Sequence, residues 1–501
     1  MVTEFAMKRA WYSCSAMLRL YDTAVDNPAL EPRRDLGLTH ATSLVVGVII
    51  GTGIFLKTAS MAQSVGTPLL VLAAWVAAGG VAMLGALCFA ELGALLPRAG
   101  GEYVYLRTAY GEVPGFLFAC NAFVLNGAAV AAYGAAVAIF LSDIHPFGAR
   151  WYAHTLHLGG ATYVFEFGMR QLIAVAVIGF FTLINSLGVM LGGRVQTVLT
   201  VTKVAAVLAV AIGVFAIGEG HDLGNLRATP GGGNGGLTGF GGAMFAALWA
   251  YSGWQFLPMA AGEVREPQRN LPRAIVGGAL LVLGLYLLIN AAYLYALPFW
   301  QVASSNSTAY PDAPSVAARA VQTFLGARAA PIAALIFLIS TIGSLNGMIL
   351  GAARVPYAAA RDGLFFPVFG RLHPGSRVPA TSLVLLGLWG ALLAASGTFD
   401  QLTNMAVMSY ALFWIPVALA VIVLRARLPD APRPFRVPGY PLVPLAFVLV
   451  MVWIVISGFA TATRESLAAL ALILLGLPLY PLFRRRAART RDLSPTRAPT
   501  A

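Results

Sequence analysis

Gly47-Val48-Ile49-Ile50-Gly51-Thr52-Gly53-Ile54-Phe55 sets three glycines into an otherwise apolar segment. An interior glycine costs about 1 kcal/mol of helix propensity relative to alanine, so a membrane helix does not collect them without reason. Their spacing lets the backbone leave helical geometry near Gly51 and Gly53. A break within hydrocarbon strips N–H and C=O groups of their partners, and it is tolerated only where they are buried in protein or line a cavity. The stretch therefore reads as a discontinuous helix whose broken ends bind a ligand.

The rest of the chain supplies the membrane. Of its 501 residues 58% are hydrophobic and 11% charged, with a mean hydropathy of +0.77, which excludes a soluble globular protein. Units of roughly 20 apolar residues give about twelve spans. They fall at 41–65, 68–94, 104–142, 171–190, 195–217, 239–260, 273–298, 331–357, 380–397, 402–425, 441–460 and 465–483. The expected fold is an all-α integral membrane protein.

The net charge of +13 reports orientation rather than a nucleic-acid partner. Lys8, Arg9, Arg33 and Arg34 precede the first span, Arg98, Arg107, Arg194, Arg265, Arg269, Arg354, Arg361, Arg371, Arg425 and Arg433 occupy the even-numbered connections, and Arg484, Arg485 and Arg486 open the tail. The opposite connections carry far fewer. The positive-inside rule then puts both termini in the cytoplasm, in the plasma (cell inner) membrane. Residues 1–36 lack the apolar core of a cleavable signal peptide and are expected to be a cytoplasmic segment. Cys14, Cys88 and Cys120 are scattered, without disulfide or metal spacing.

A second interruption lies five spans after the first, in Trp249-Ala250-Tyr251-Ser252-Gly253-Trp254-Gln255. Spans one and six are corresponding positions of a five-plus-five repeat, and an odd number of spans inverts the second half. Paired broken helices in that arrangement mark a substrate site at the membrane midplane. The expected organisation is a first repeat over 37–217, a Gly-rich connection over 218–238, a second repeat over 239–425, a connector with two further spans over 426–483, and a basic tail over 484–501.

Three further stretches complete a pattern: Glu91 to Leu106 with Pro97-Arg98-Ala99-Gly100-Gly101-Glu102-Tyr103, then Gly262-Glu263-Val264-Arg265-Glu266-Pro267, then Ala353-Arg354-Val355-Pro356-Tyr357 to Gly363. Together with the glycine break they resemble the amino acid/polyamine/organocation superfamily, and Ile50-Gly51-Thr52-Gly53-Ile54-Phe55 is most similar to its L-type amino acid transporter branch. The resemblance runs from about His40 to the end of the tenth span and implies the leucine-transporter-like fold with helices 1 and 6 discontinuous.

The physics of the two breaks selects the substrate. A half-helix N-terminus presents N–H groups and a positive dipole end that suit a carboxylate; carbonyls at a half-helix C-terminus suit an ammonium. An amino acid zwitterion carries both. The carboxylate is assigned to the backbone around Gly51, Thr52 and Gly53, with the Thr52 hydroxyl, and the ammonium to carbonyls near Ile49, Ile50 and Trp249, with Ala250 and Ser252 in the same interrupted backbone. The resemblance implies the same positions, and it makes Trp249 an extracellular-side gate. Tyr251 is expected to cap the substrate with it, and Gln255 to line the site or hold the unwound segment; packing alone is the alternative for each.

Lys203 stands within the fifth span, where an unsatisfied lysine costs roughly 2.5–3.5 kcal/mol on insertion scales. The resemblance suggests that its ammonium replaces the sodium ion bridging spans one and eight in sodium-coupled relatives, with Gly47, Val48, Ser344 and Asn346 as neighbours; the alternative is a lysine snorkelling to the surface. Glu91 and Glu102 read as a loop clamp neutralised by Arg98 and Arg107, and Arg361 and Asp362 as organisers of an intracellular gate or loop. No metal or hydrolytic constellation is present and no cofactor is expected, which argues against an enzyme. Gly231 to Gly236 lacks the ending of a phosphate loop.

The expected function is sodium-independent secondary transport of neutral amino acids by alternating access, as exchanger or proton-coupled symporter. The alternatives are a cationic amino acid or polyamine carrier, and a transporter-like receptor that binds without translocating. Animal L-type carriers pair with a heavy chain through a cysteine absent here between Ser142 and Arg170, so no disulfide-linked subunit is expected. The resemblance gives the last two spans to lipid packing or homodimer contacts.

Overall fold

A computed structural model describes residues 31–492, apart from 146, 148–150, 159–160, 220–221, 228–235, 308, 311–312, 395–398 and 462. Most of the expected cytoplasmic segment with Cys14, nearly all of the Gly231 to Gly236 run and the end of the basic tail lie outside the described residues.

The first apolar segment is two helices, α1 (Leu38–Ile49) and α2 (Gly53–Val65). At Ile50 the backbone turns to ψ 85° and the helical pattern stops. After it come α3 (Pro68–Leu95), α4 (Glu102–Tyr110) and α5 (Glu112–Ile144). Thr67 starts α3 by accepting a hydrogen bond from Leu70 N, with Pro68 in the first turn, where its missing N–H leaves no intrahelical bond unmade. The expected third span, 104–142, is divided: Gly111, at φ 97°, separates α4 from α5. Beyond α5 an antiparallel hairpin, β1 (Tyr152–Leu158) and β2 (Ala161–Phe167), departs from the all-α expectation. Its Thr, Tyr, Val and Phe residues favour strands.

The chain continues through α6 (Met169–Leu187), α7 (Val189–Ile217), then α8 (Gly236–Tyr251) and α9 (Phe256–Met259) on either side of the second interruption. There follow α10 (Pro267–Ala296), α11 (Phe299–Ala303), α12 (Val316–Leu325), α13 (Ala329–Ala352), α14 (Arg354–Arg361), α15 (Ala380–Ala394), α16 (Phe399–Arg427), α17 (Leu442–Thr461), α18 (Thr463–Leu474) and α19 (Gly476–Asp492). Ten helical segments among the described residues are long and apolar enough to cross a membrane. This is a multi-pass membrane protein.

Burial orders the helices from the centre outward. The apolar window of α1 and α2 is 83% buried, against 28% for α6 and 22% for the window from α18 into α19. The interrupted segment is therefore the axis around which α7, α8, α10 and α13 pack, while α6, α17 and α19 present Leu183, Leu449 and Leu482 outward, as lipid contact requires.

Candidate functional site

The two interruptions touch. A Cβ added at Gly53 would lie 2.6 Å from Ala250 Cα, and one added at Gly253, where φ is 146°, would lie 2.7 Å from Ile49 N. Each break is thus seated on the other's backbone, and both glycines are required by approach, the second also by conformation. Tyr286 of α10 ties them, its hydroxyl lying 2.8 Å from Ile49 O and 2.9 Å from Ala250 O.

On the first side, Ile50, Gly51, Thr52 and Gly53 are buried. Helix geometry leaves the first N–H groups of α2 without intrahelical partners, and they lie at the crossing. Trp249 faces them: its Nε1 is 3.3 Å from Thr52 Oγ1 and its ring stacks on Tyr133 of α5 at 5.5 Å. On the second side Ser252 bonds back to Trp249 O, through its N–H at 3.3 Å and its hydroxyl at 2.9 Å. Gln255 accepts from Gly253 N at 2.8 Å through Oε1, leaving a buried Nε2 without a partner. Tyr251 is turned away from the expected cap: its hydroxyl donates to Trp75 O on α3 at 3.1 Å.

Lys203 does not snorkel. It is 1% exposed, and its ammonium donates to the carbonyls of Gly47, Ile50 and Ser340, each at 2.7 Å, with Ser344 Oγ at 3.4 Å. Three donors meet three carbonyls, which is what a lysine inside hydrocarbon needs. Val48 joins through Ser344, whose hydroxyl reaches Val48 O at 3.2 Å. Asn346 is not a neighbour of the ammonium; it accepts from Asn185 Nδ2 at 2.9 Å and donates to Gln196 Oε1 at 2.8 Å, locking α6, α7 and α13. Thr200 donates to Ser43 O at 2.9 Å, so α7 is stitched along α1, and Gly47 is small because Thr200 and Gln196 occupy the space of its Cβ.

The loop-clamp expectation is corrected. Glu91 pairs with Arg425 at 2.6 Å and approaches Arg433, while Arg107 pairs with Asp362 and Arg98 is exposed. Charge alone could not rank these partners, because the packing of α16 on α3 brings a distant arginine closer than adjacent ones. Sequence reasoning also missed an ion pair. Arg354 Nη2 lies 2.9 Å and 2.8 Å from the two Glu263 oxygens, both side chains fully buried, and Leu36 N donates to Glu263 O at 2.9 Å. The start of α1, the end of the second interruption and α14 are thereby held together at the arginine-rich end. Tyr133 and Tyr286 were missed as well; Tyr133 is the lone tyrosine of α5, but α10 also carries Tyr293 and Tyr295, so nothing in the sequence singles out Tyr286.

Residues 36–477 match the amino acid permease family model. The chain belongs to the amino acid permease family. Among relatives of this permease, the serine/threonine exchanger SteT of Bacillus subtilis is 28% identical, over 91% of this chain and 98% of its own. The mouse b(0,+)-type amino acid transporter 1 is 31% identical, over 90% and 88%, and the human cystine/glutamate transporter 27%, over 91% and 86%. These relatives are amino acid transporters and exchangers, so amino acid transport across a membrane is the activity to which the permease's crossed helices are to be related.

Proposed function

We propose that this permease is a sodium-independent secondary transporter of neutral amino acids that works by alternating access, as an exchanger or with a proton. The observation that carries the reading is the Lys203 ammonium on the carbonyls of Gly47, Ile50 and Ser340. It joins α1 to α13 as a fixed internal cation, so a dissociable sodium ion is not needed there. Relatives named as exchangers favour the exchange arm.

The substrate carboxylate is assigned to the N–H groups at Thr52 and Gly53 and the Thr52 hydroxyl, and the ammonium to the carbonyls around Ile49, Ile50 and Trp249. Those carbonyls already accept hydrogen bonds within the protein, Ile49 O from Tyr286 and Gly51 N, Ile50 O from Lys203 and Ser340, and Trp249 O from the N–H and hydroxyl of Ser252, so the substrate ammonium shares an oxygen with these donors or displaces one. Among the described residues lining the crossing, Lys203 is the one ionised side chain, and its donors are taken. Nothing there would pair a second substrate cation, which favours neutral amino acids over cationic ones or polyamines. Trp249 and Tyr133 form the wall over the site.

Counting the interrupted segment α8–α9 and the short helix α15 brings the spans to twelve, in two inverted repeats of five with the organisation expected from the sequence. The termini are cytoplasmic, in the cell membrane. The Glu263–Arg354 pair closes the cytoplasmic side and must part for release. Without a cysteine between Ser142 and Arg170 no disulfide-linked heavy chain is needed; α17 to α19 are left for lipid or a second copy.

Uptake of labelled neutral amino acids into proteoliposomes tests this, with sodium, pH gradient and internal substrate varied one at a time. The expected result is uptake unaffected by sodium and raised by internal amino acid or an inward proton gradient. Strict sodium dependence would overturn it, and binding without trans-stimulated or gradient-driven flux would favour a receptor.

A further inference from the structure

Glu102 opens α4 directly after the Gly100–Gly101 turn and is 1% exposed. Its Oε2 has no hydrogen-bond partner, and no cation pairs with it among the described residues. A buried carboxylate left without a cation and with one oxygen unpartnered is far less stable than the neutral acid. Arg107 on its own helix is engaged by Asp362, which also accepts from Tyr103 at 2.9 Å.

The elements packed on α4 are α5, α14 and α16, and their ionisable groups are committed elsewhere. Arg354 pairs with Glu263, Arg425 with Glu91, and Arg427 donates to Ala109 O at 2.8 Å. Glu112 accepts from Tyr480 at 3.2 Å, and Arg361 at the end of α14 is exposed. The groups that a charge on Glu102 acts on are Tyr105 of α4 and Tyr410 of α16. Tyr410 donates to Asn126 Oδ1 at 3.0 Å, while Asn126 Nδ2 and Tyr105 Oη have no partners. Burial, opposed in part by its own backbone N–H, pushes the Glu102 carboxyl up to about 8.

The turn that carries this acid lies against the second interrupted helix. Gly100 N donates to Met259 O at 2.8 Å, and a Cβ on Gly101 would lie 3.0 Å from Met259 N. Moving α9 uncovers the turn that carries Glu102. We propose that Glu102 is a proton-binding site of the cytoplasmic gate, holding its proton while α9 lies against the Gly100–Gly101 turn and releasing it to water when α9 moves away. The O–H bond breaks, the proton passes to cytoplasmic water, and the carboxylate left behind is hydrated. The proposal rests on the alternating-access reading above.

The sign follows. The closed form binds the proton more tightly, and hydration returns the carboxyl toward an ordinary value near 4.3, so an alkaline cytoplasmic face favours opening and an acidic one holds the gate shut. In wild-type proteoliposomes, exchange should rise several-fold as internal pH goes from about 6.5 to about 8.5, and Glu102→Gln should flatten that profile. A variant keeping the wild-type profile overturns the proposal. A second readout needs no transport: the infrared carbonyl band of a protonated carboxyl, recorded on the purified protein at neutral pH. It should lose intensity in Glu102→Gln; an unchanged band means that Glu102 is ionised, and overturns the proposal. Absence of any amino acid flux in the wild type would instead overturn the carrier reading, leaving the infrared result to decide Glu102 alone.

Discussion

Two of the buried ionisable side chains of this molecule stand under opposite conditions. Lys203 has every donor matched to an oxygen, whereas Glu102 keeps an oxygen with no partner. A satisfied buried ion acts as a strut, because removing it strands the groups it served. An unsatisfied one avoids the penalty by taking up a proton, and it can give that proton back when its surroundings change. One fold thus uses burial to fix a charge near its centre and to make another conditional at its edge.

The largest effect is expected where a buried ion pair can be halved. Arg354→Met leaves Glu263 buried and alone, which should lower stability in detergent by about 3–5 kcal/mol, and adding Glu263→Gln should recover part of that loss. Thermal or denaturant unfolding measures both. Equal losses in the single and double variants would show that the pair is not the seat of the effect.

Lys203→Ala comes next. It removes the ammonium donor from the carbonyls of Gly47, Ile50 and Ser340, each lost bond being worth about 1–3 kcal/mol, and should reduce exchange at least about tenfold, since 1.4 kcal/mol corresponds to a factor of ten. Transport at the wild-type rate would remove the strut from the comparison. Tyr286→Phe deletes one hydroxyl shared by both breaks and should cost about 1 kcal/mol, read as a small shift in unfolding. Smallest is Glu102→Gln: it replaces an acid already neutral in the closed form and should stay within about 1 kcal/mol of wild type in stability. A loss as large as that for Arg354→Met would mean Glu102 is charged and paired.

Much of the centre was legible in the chain. The glycines announced close approach, of backbone to backbone at 53 and 253 and of side chains to backbone at 47 and 51, and a lysine in an apolar run announced acceptors around it, since neither is tolerated otherwise in hydrocarbon. Their partners were less legible. Ser344 came from the resemblance, but Ser340, one turn before it and more than a hundred residues from Lys203, did not, and Tyr286 reads as an ordinary aromatic until its two carbonyls are seen. The helix ends misled most: Glu91 and Glu102 have arginines nearby in sequence, yet among the described residues one pairs with Arg425 and the other with no cation. Local charge pattern carries no information on which helix end packs against which. The hairpin after α5 was lost to the same search for long apolar runs that found the spans.

The central claim is that main-chain groups at the crossing of two interrupted helices hold both charged ends of a free amino acid. Its most direct test is competition for labelled substrate, in proteoliposomes, by a neutral amino acid, its carboxamide and its N-acetyl derivative. The account predicts that blocking either end weakens competition at least about tenfold, equivalent to 1.4 kcal/mol. A carboxamide or N-acetyl derivative that competes as well as the parent amino acid would contradict it.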